Sequence, residues 1–328
     1  MKKSMSIAAA GLLAITVVGM TAPASSAAFT TRCVGVGGAV IIPGDLVVPA
    51  GQSCTLNGTT VQGNVRVQAN ADLVMNDATI VGDVTVRENA YLEATGTSVG
   101  GAVNARESFG NWITDSTVGA RVTTINNTQD FGFLIVEGSD LGEQVRATGG
   151  ALDLVSTTVA TQVLGLQAEY TDVYDSVVGG NLRVEGNELG SAVCNSEVYG
   201  VAQLRDNSTG VQLGGTRADG ALANCDGSNY FASNVNINNN ADGVWVIDNI
   251  MASNLSGTGN DPAPVGEGNR VRGASQGQFA DLAAPADAAP SFSMQKQAVN
   301  ERGVELREAA EDRAGRAEQR AERAGAAF

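Results

Sequence analysis

The sequence predicts an all-β fold, a single-stranded, right-handed parallel β-helix (solenoid) of about twelve coils with a period of ~19 residues and a C-terminal α-helical tail. Three observations predict it. An apolar anchor returns at Ile42, Val61, Ile80, Val99, Val118, Leu141, Val159, Val178, Val198, Ala218, Val235 and Leu255, with one large interval, between Val118 and Leu141. Four further columns keep register with it: Ser or Thr two residues before (Thr59, Thr97, Ser116), Gly two after (Gly63, Gly82), an apolar residue four after (Val65, Val84), and Asn or Gly nine after (Asn70, Asn89). Inside each unit apolar residues alternate, as in Val61-Gln-Gly-Asn-Val65-Arg-Val67, which is the period of a strand. So small a unit cannot bury its own apolar face, whereas a stack of such units fills one continuous core. Parallel crossovers are nearly always right-handed, which sets the expected hand.

The elements follow in chain order. Residues 1–28 run Met-Lys-Lys, an apolar stretch from Ile7 to Met20, then small residues ending Ser26-Ala27-Ala28, the layout of a secretory signal peptide. Residues 29–41 are expected to cap the solenoid, because an open end exposes strand edges. Residues 42–261 form the coils. The Asn and Gly columns mark bends, since these residues tolerate left-handed backbone. The Ser/Thr column is expected to satisfy backbone groups at a corner. Residues 262–294, with Pro262, Pro264, Pro285 and Pro290 among Ala, Gly and Asp, read as a linker. Residues 295–328 are rich in Ala, Glu and Arg and are expected to be helical. A seam of Val299, Gly303, Leu306, Ala310, Ala314, Ala317, Ala321 and Ala324 steps by three or four. That seam leaves a solvated tail, self-association and docking on a partner open, because Ala buries little area.

Charge and cysteines bound the setting. From Phe29 to Met294 there are eleven Arg against twenty-eight Asp and Glu, a net charge of −17, and His is absent from the chain. Such a rod disfavours nucleic acid and anionic lipid as partners. Beyond the leader no stretch is apolar enough for a transmembrane anchor. In an exported chain, four cysteines are expected to form disulfides, with Cys33–Cys54 and Cys194–Cys225 the economical pairing.

Catalytic patterns are missing. Val244-Trp-Val-Ile-Asp-Asn249 resembles the Trp-Ile-Asp-His stretch of pectate lyases but lacks its His, and the arginine motif of that family is absent. Glycoside chemistry needs two converging carboxylates. The candidates Asp172 with Asp175, and Asp77 with Asp83, stand where acidic residues ordinarily face solvent. No cofactor is expected. Calcium at Asp/Asn turns remains an option, without the calcium-binding nonapeptide. A binding role points to the interval after Val118, with Asn127, Asp130, Phe131 and Phe133, and to Tyr91, Tyr170 and Tyr230, which share a unit position and offer rings for sugar stacking. The expected partner is an extracellular polysaccharide or cell-wall component.

Thr60-Val-Gln-Gly-Asn-Val-Arg-Val67 and its copy Thr79-Ile-Val-Gly-Asp-Val-Thr-Val86 resemble the repeat units of bactofilins, polymer-forming bacterial β-helix proteins. The start Pro49-Ala-Gly-Gln-Ser-Cys-Thr-Leu-Asn-Gly58, followed by such coils, is similar to exported actinobacterial parallel β-helix proteins. That likeness implies a fold and export. The expected function is a non-enzymatic extracellular or cell-surface scaffold or interaction protein of adhesin type, with a polysaccharide-binding or polysaccharide-degrading β-helix as the alternative.

Overall fold

The computed structural model describes residues 29–126, 132–215, 225, 227–285 and 299–328. Its strands stack into three parallel sheets that form a β-solenoid of about twelve turns with one C-terminal helix. Sheet A runs from Thr30–Arg32 to Ser275–Gly277, sheet B from Gly35–Gly37 to Val265–Glu267, and sheet C from Ile41–Ile42 to Arg270–Val271. At a strand spacing of ~4.8 Å the stack is on the order of 55 Å long.

The columns read from the sequence have direct physical counterparts. The anchors Val61, Ile80 and Val99 and the plus-four residues Val65, Val84 and Val103 are buried and belong to one core that runs the length of the rod. The hydroxyl column lies inside a corner and not on the surface. Thr97 N–H donates to Ser116 Oγ (3.0 Å), Ser116 N–H to Ser139 Oγ (3.0 Å) and Ser176 N–H to Ser196 Oγ (3.1 Å). Each side chain thus satisfies a buried amide of the coil before it, a group that would cost about 1–3 kcal/mol if left bare. Beyond Ser196 the same task passes to Asn229 and Asn269, which accept from Ser196 N–H and Asn249 N–H, while the Asn229 side-chain amide donates to Asn249 Oδ1. Another corner carries a second amide ladder through Asn187, Asn207, Asn240 and Asn260.

Several boundaries differ from the sequence expectation. Residues 29–41 are the first coil rather than a cap: Thr30–Arg32, Gly35–Gly37 and Ile41–Ile42 pair in register with the following strands of sheets A, B and C. Sheet C passes from Val198 to Phe231, a step of 33 residues, so Val235 and Leu255 sit in sheet A beside Ala202 and are not anchors. An anchor and a residue four later are both inward-facing aliphatics, so alternation alone cannot tell them apart. Ala218 lies outside the described residues. The segment read as a linker continues the coil through Val265–Glu267, Arg270–Val271 and Ser275–Gly277, with Asn269 in the ladder and Phe279 buried at the end of the core.

Both predicted disulfides are present, Cys33–Cys54 and Cys194–Cys225, with Cα atoms 5.6 and 5.1 Å apart. The tail forms a helix, α1 (Val299–Ala324), that lies on the outer face of sheet B. After it the chain pairs with the first strand of that sheet: Val36 N–H donates to Gly325 O (2.8 Å) and Ala327 N–H to Val36 O (2.9 Å). The last residues, not the first, cover this edge. At the far end Ala283 bridges Val265 in the same way.

Candidate functional site

Outward-facing side chains decide what a solenoid presents, and here each sheet presents a different chemistry. The described strands of sheet B carry Asp72, Glu93, Glu137, Asp153, Asp172 and Glu267 and no Arg or Lys. Those of sheet A carry Arg32, Arg66, Arg106, Arg146, Arg183 and Arg205 against Asp45 and Glu185. The outward column of sheet C runs through Thr79, Ser98, Thr117, Asp140 and Thr158, all exposed, and continues through Glu197 and Tyr230 to Ile250 and Arg270.

The outer face of sheet B is also apolar. In one column Asp72, Tyr91, Gly110, Phe133, Ala151 and Tyr170 stand in register, so large rings alternate with small residues. Gly110 has to be small, because a Cβ there would collide with the Phe133 ring. Phe109 meets Phe133 edge to face at 5.7 Å and Tyr91 at 6.0 Å. Ala310, Ala314 and Ala317 of α1 close over this cluster. Small helix residues let the backbone approach closely, and the sheet supplies most of the apolar surface. The seam of the tail therefore packs on its own chain, with Gly303, Ala310, Ala314, Ala317 and Ala321 buried and Ala324 exposed.

Arginines flanking the seam meet the acidic residues of the sheet. Asp72, fully buried, accepts from Arg313 Nε (2.8 Å) and from Arg320. Arg313 also lies 4.4 Å from the Phe109 ring centroid, a cation–π placement. Arg307 donates to Glu137 (2.7 Å) and Asp153 (2.8 Å). Burial raises the Asp153 carboxyl to about 6, against the lowering pull of Arg307. Burial raises Glu93 as well, although the Tyr91 hydroxyl donates to it at 2.8 Å. Nothing in the sequence tied these arginines to particular carboxylates; the available signal was their flanking position on an alanine seam.

Of the sequence-predicted site residues, the structure brings Tyr91, Phe133 and Tyr170 together and leaves Tyr230 apart from them on sheet C. Tyr91, Tyr170 and Phe133 are buried on sheet B under or beside α1, so they offer no open stacking face. Tyr230 is half-buried on sheet C, where it meets Tyr199 edge to face at 6.1 Å. Asn127, Asp130 and Phe131 lie outside the described residues. Asp77 and Asp175 occupy left-handed corner positions (φ 53° and 49°), whereas Asp172 is buried on sheet B and accepts from Ala192 N–H at 2.9 Å. Asp83 accepts from Ala102 N–H at 2.8 Å. Beside the Cys194–Cys225 bridge a shallow hollow of about 300 Å³ is lined by Gly215, Ser228, Asp248 and Arg270 among others. Among the described residues no group of three or more metal-ligating side chains gathers, and no helix is long and apolar enough to cross a membrane.

No family model, no curated protein and no solved structure matches the chain.

Proposed function

We propose that the protein is an exported, non-enzymatic β-solenoid that works outside the cell or at its surface as a scaffold or interaction protein. The observation that carries this reading is the fate of the carboxylates. Asp77 and Asp175 sit at corners where left-handed backbone favours Asp, Asp172 accepts a backbone N–H, and Asp72, Glu137 and Asp153 are engaged by Arg307, Arg313 and Arg320 of α1. General acid–base work on a sugar needs two carboxyl groups opening on one groove. Export is supported by the leader-like layout of residues 1–28 and by two disulfides, which persist in oxidising compartments. A partner among extracellular polysaccharides or cell-wall components fits a rod with long, flat, polar faces.

The competing reading is a polysaccharide lyase or hydrolase. Incubating the protein with pectins, alginates and glycosaminoglycans, while following ultraviolet absorbance and reducing ends, separates the two. No product is expected, and clear turnover would sink the proposal. Recovery of the chain in culture medium without its first 28 residues tests export.

A further inference from the structure

The two broad faces of the rod carry opposite charge, and one of them already has its counter-ion. Sheet B is acidic and holds an arginine-bearing helix from the same chain. Sheet A is basic, and no described segment covers it. We infer that the outer face of sheet A is a binding surface for a linear, carboxylated polysaccharide; this deepens the scaffold reading and rests on it.

The face is built by register. Arg66, Thr85, Asn104, Thr123, Arg146 and Arg183 fall in one outward column, interrupted by Leu164 between the last two. Arg106 and Arg205 stand in the neighbouring column. Consecutive coils repeat every ~4.8 Å, so guanidinium groups recur along a flat strip roughly parallel to the rod. A polymer bearing a carboxylate on each sugar matches such a strip; a compact ligand does not. The strip shows its preference internally. Arg66 holds Asp45 at 2.5 Å, and Arg205 and Arg183 each donate to Glu185 at 2.7 Å, so a carboxylate is the group these side chains already take. Arg87 directly follows the sheet A strand Val84–Val86 and so comes beside Arg106, because Val86 pairs with Ala105; both arginines are exposed, with no ion-pair partner among the described residues. Arginine rather than lysine suits this role, because its planar fork can bind a carboxylate through two parallel hydrogen bonds. The net charge of −15 does not oppose it at close range. At physiological ionic strength charges are screened beyond about 8 Å, and the local face decides.

The test is affinity electrophoresis of the full chain in gels containing polygalacturonate, its carboxyl-reduced counterpart, or poly(glycerol phosphate). Retardation by polygalacturonate alone is expected. The pair Arg87→Ala/Arg106→Ala should bind about tenfold more weakly, two charge-assisted contacts being lost, while Arg270→Ala/Arg272→Ala, the same charge change in and just after the sheet C strand Arg270–Val271, stays within about twofold of the parent. Circular dichroism confirms that the variants fold. Equal migration in polygalacturonate and its carboxyl-reduced form, equal retardation by the phosphate polymer, or equal loss in both variants would overturn the surface and leave the scaffold reading standing. Release of unsaturated or reducing ends would overturn the scaffold reading while leaving the binding result legible.

Discussion

Sheets A and B are built from the same repeat, yet their outer faces behave as opposites. On the stretch of sheet B beneath α1 the outward residues include the rings of Tyr91 and Phe133 and the carboxylate of Asp72, buried and covered by the helix. On sheet A they are arginine, threonine and asparagine, and Arg66, Arg183 and Arg205 keep 46, 39 and 43% of their side chains exposed. Similar ion pairs therefore differ in weight. Under α1 they are desolvated, so removing one partner strands a charge; on sheet A water replaces the partner. A repeat fixes the inward half of each strand, and the outward half is free to diverge.

The largest expected effect is at Asp72. Asp72→Ala leaves Arg313 facing the sheet without its carboxylate, which for a buried pair costs about 3–5 kcal/mol. Hydrogen exchange should show α1 losing protection while the inner strands keep theirs. Equal protection of α1 in both proteins would show that the apolar cluster alone holds the helix.

Next comes the other covered stretch of sheet B. Cys194 points outward there, packed with Cys225, Ala192, Trp245 and Ile247. Closing a loop over a sequence separation of 31 is worth about 3.7 kcal/mol, so Cys194→Ser/Cys225→Ser should lower the unfolding free energy by about that much in a denaturant titration. An unchanged midpoint would mean that the cover persists without the bridge.

How far the contrast was legible in the sequence depends on what repeats. The inward columns recur in nearly every unit, so Val61, Ile80 and Val65 announced the core, and Thr97 and Ser116 the ladder. Register slipped only after Val198, where a long insertion coincides with a change of ladder residue from Ser to Asn. The seam from Val299 to Ala324 marked one side of the helix but left a solvated tail, self-association and docking on a partner open. It did not show what that side meets, because alanine fits any smooth surface and the complementary rings of Phe133 and Tyr91 lie some 200 residues away. Charge segregation was hidden for a similar reason. A net value sums over faces, and only the strand register places Arg66 and Asp72 on different sheets.

Asp153 sharpens the comparison through pH. Its carboxyl titrates at about 6 in the folded protein, above the ordinary 3.8, because burial outweighs Arg307. The sign follows: folding favours the protonated form, so this contribution is fully present below about pH 4 and is lost as pH rises through 6. The size is on the order of 1–3 kcal/mol. Asp153→Asn keeps the shape without the charge, and Arg307 retains Glu137. Protection of α1 should therefore fall between pH 4.5 and 7 in the parent and fall less in the variant. Parallel curves would assign the pH dependence to other groups, beginning with Glu93, whose shift has the same direction.

The smallest effect is expected on the open face. Arg66→Ala removes an exposed pair with Asp45, and exposed pairs contribute about 0.2–1 kcal/mol. Its side chain also shields little of the core, since Val65 and Val67 on either side point inward and are buried without it. The denaturation midpoint should barely move, and the small shift that remains should vanish in 1 M salt, where screening shortens to about 3 Å. A loss as large as that at Asp72 would erase the distinction between the faces. It would mean that sheet A uses its arginines to hold the rod together and that their exposure does not leave them free for a ligand.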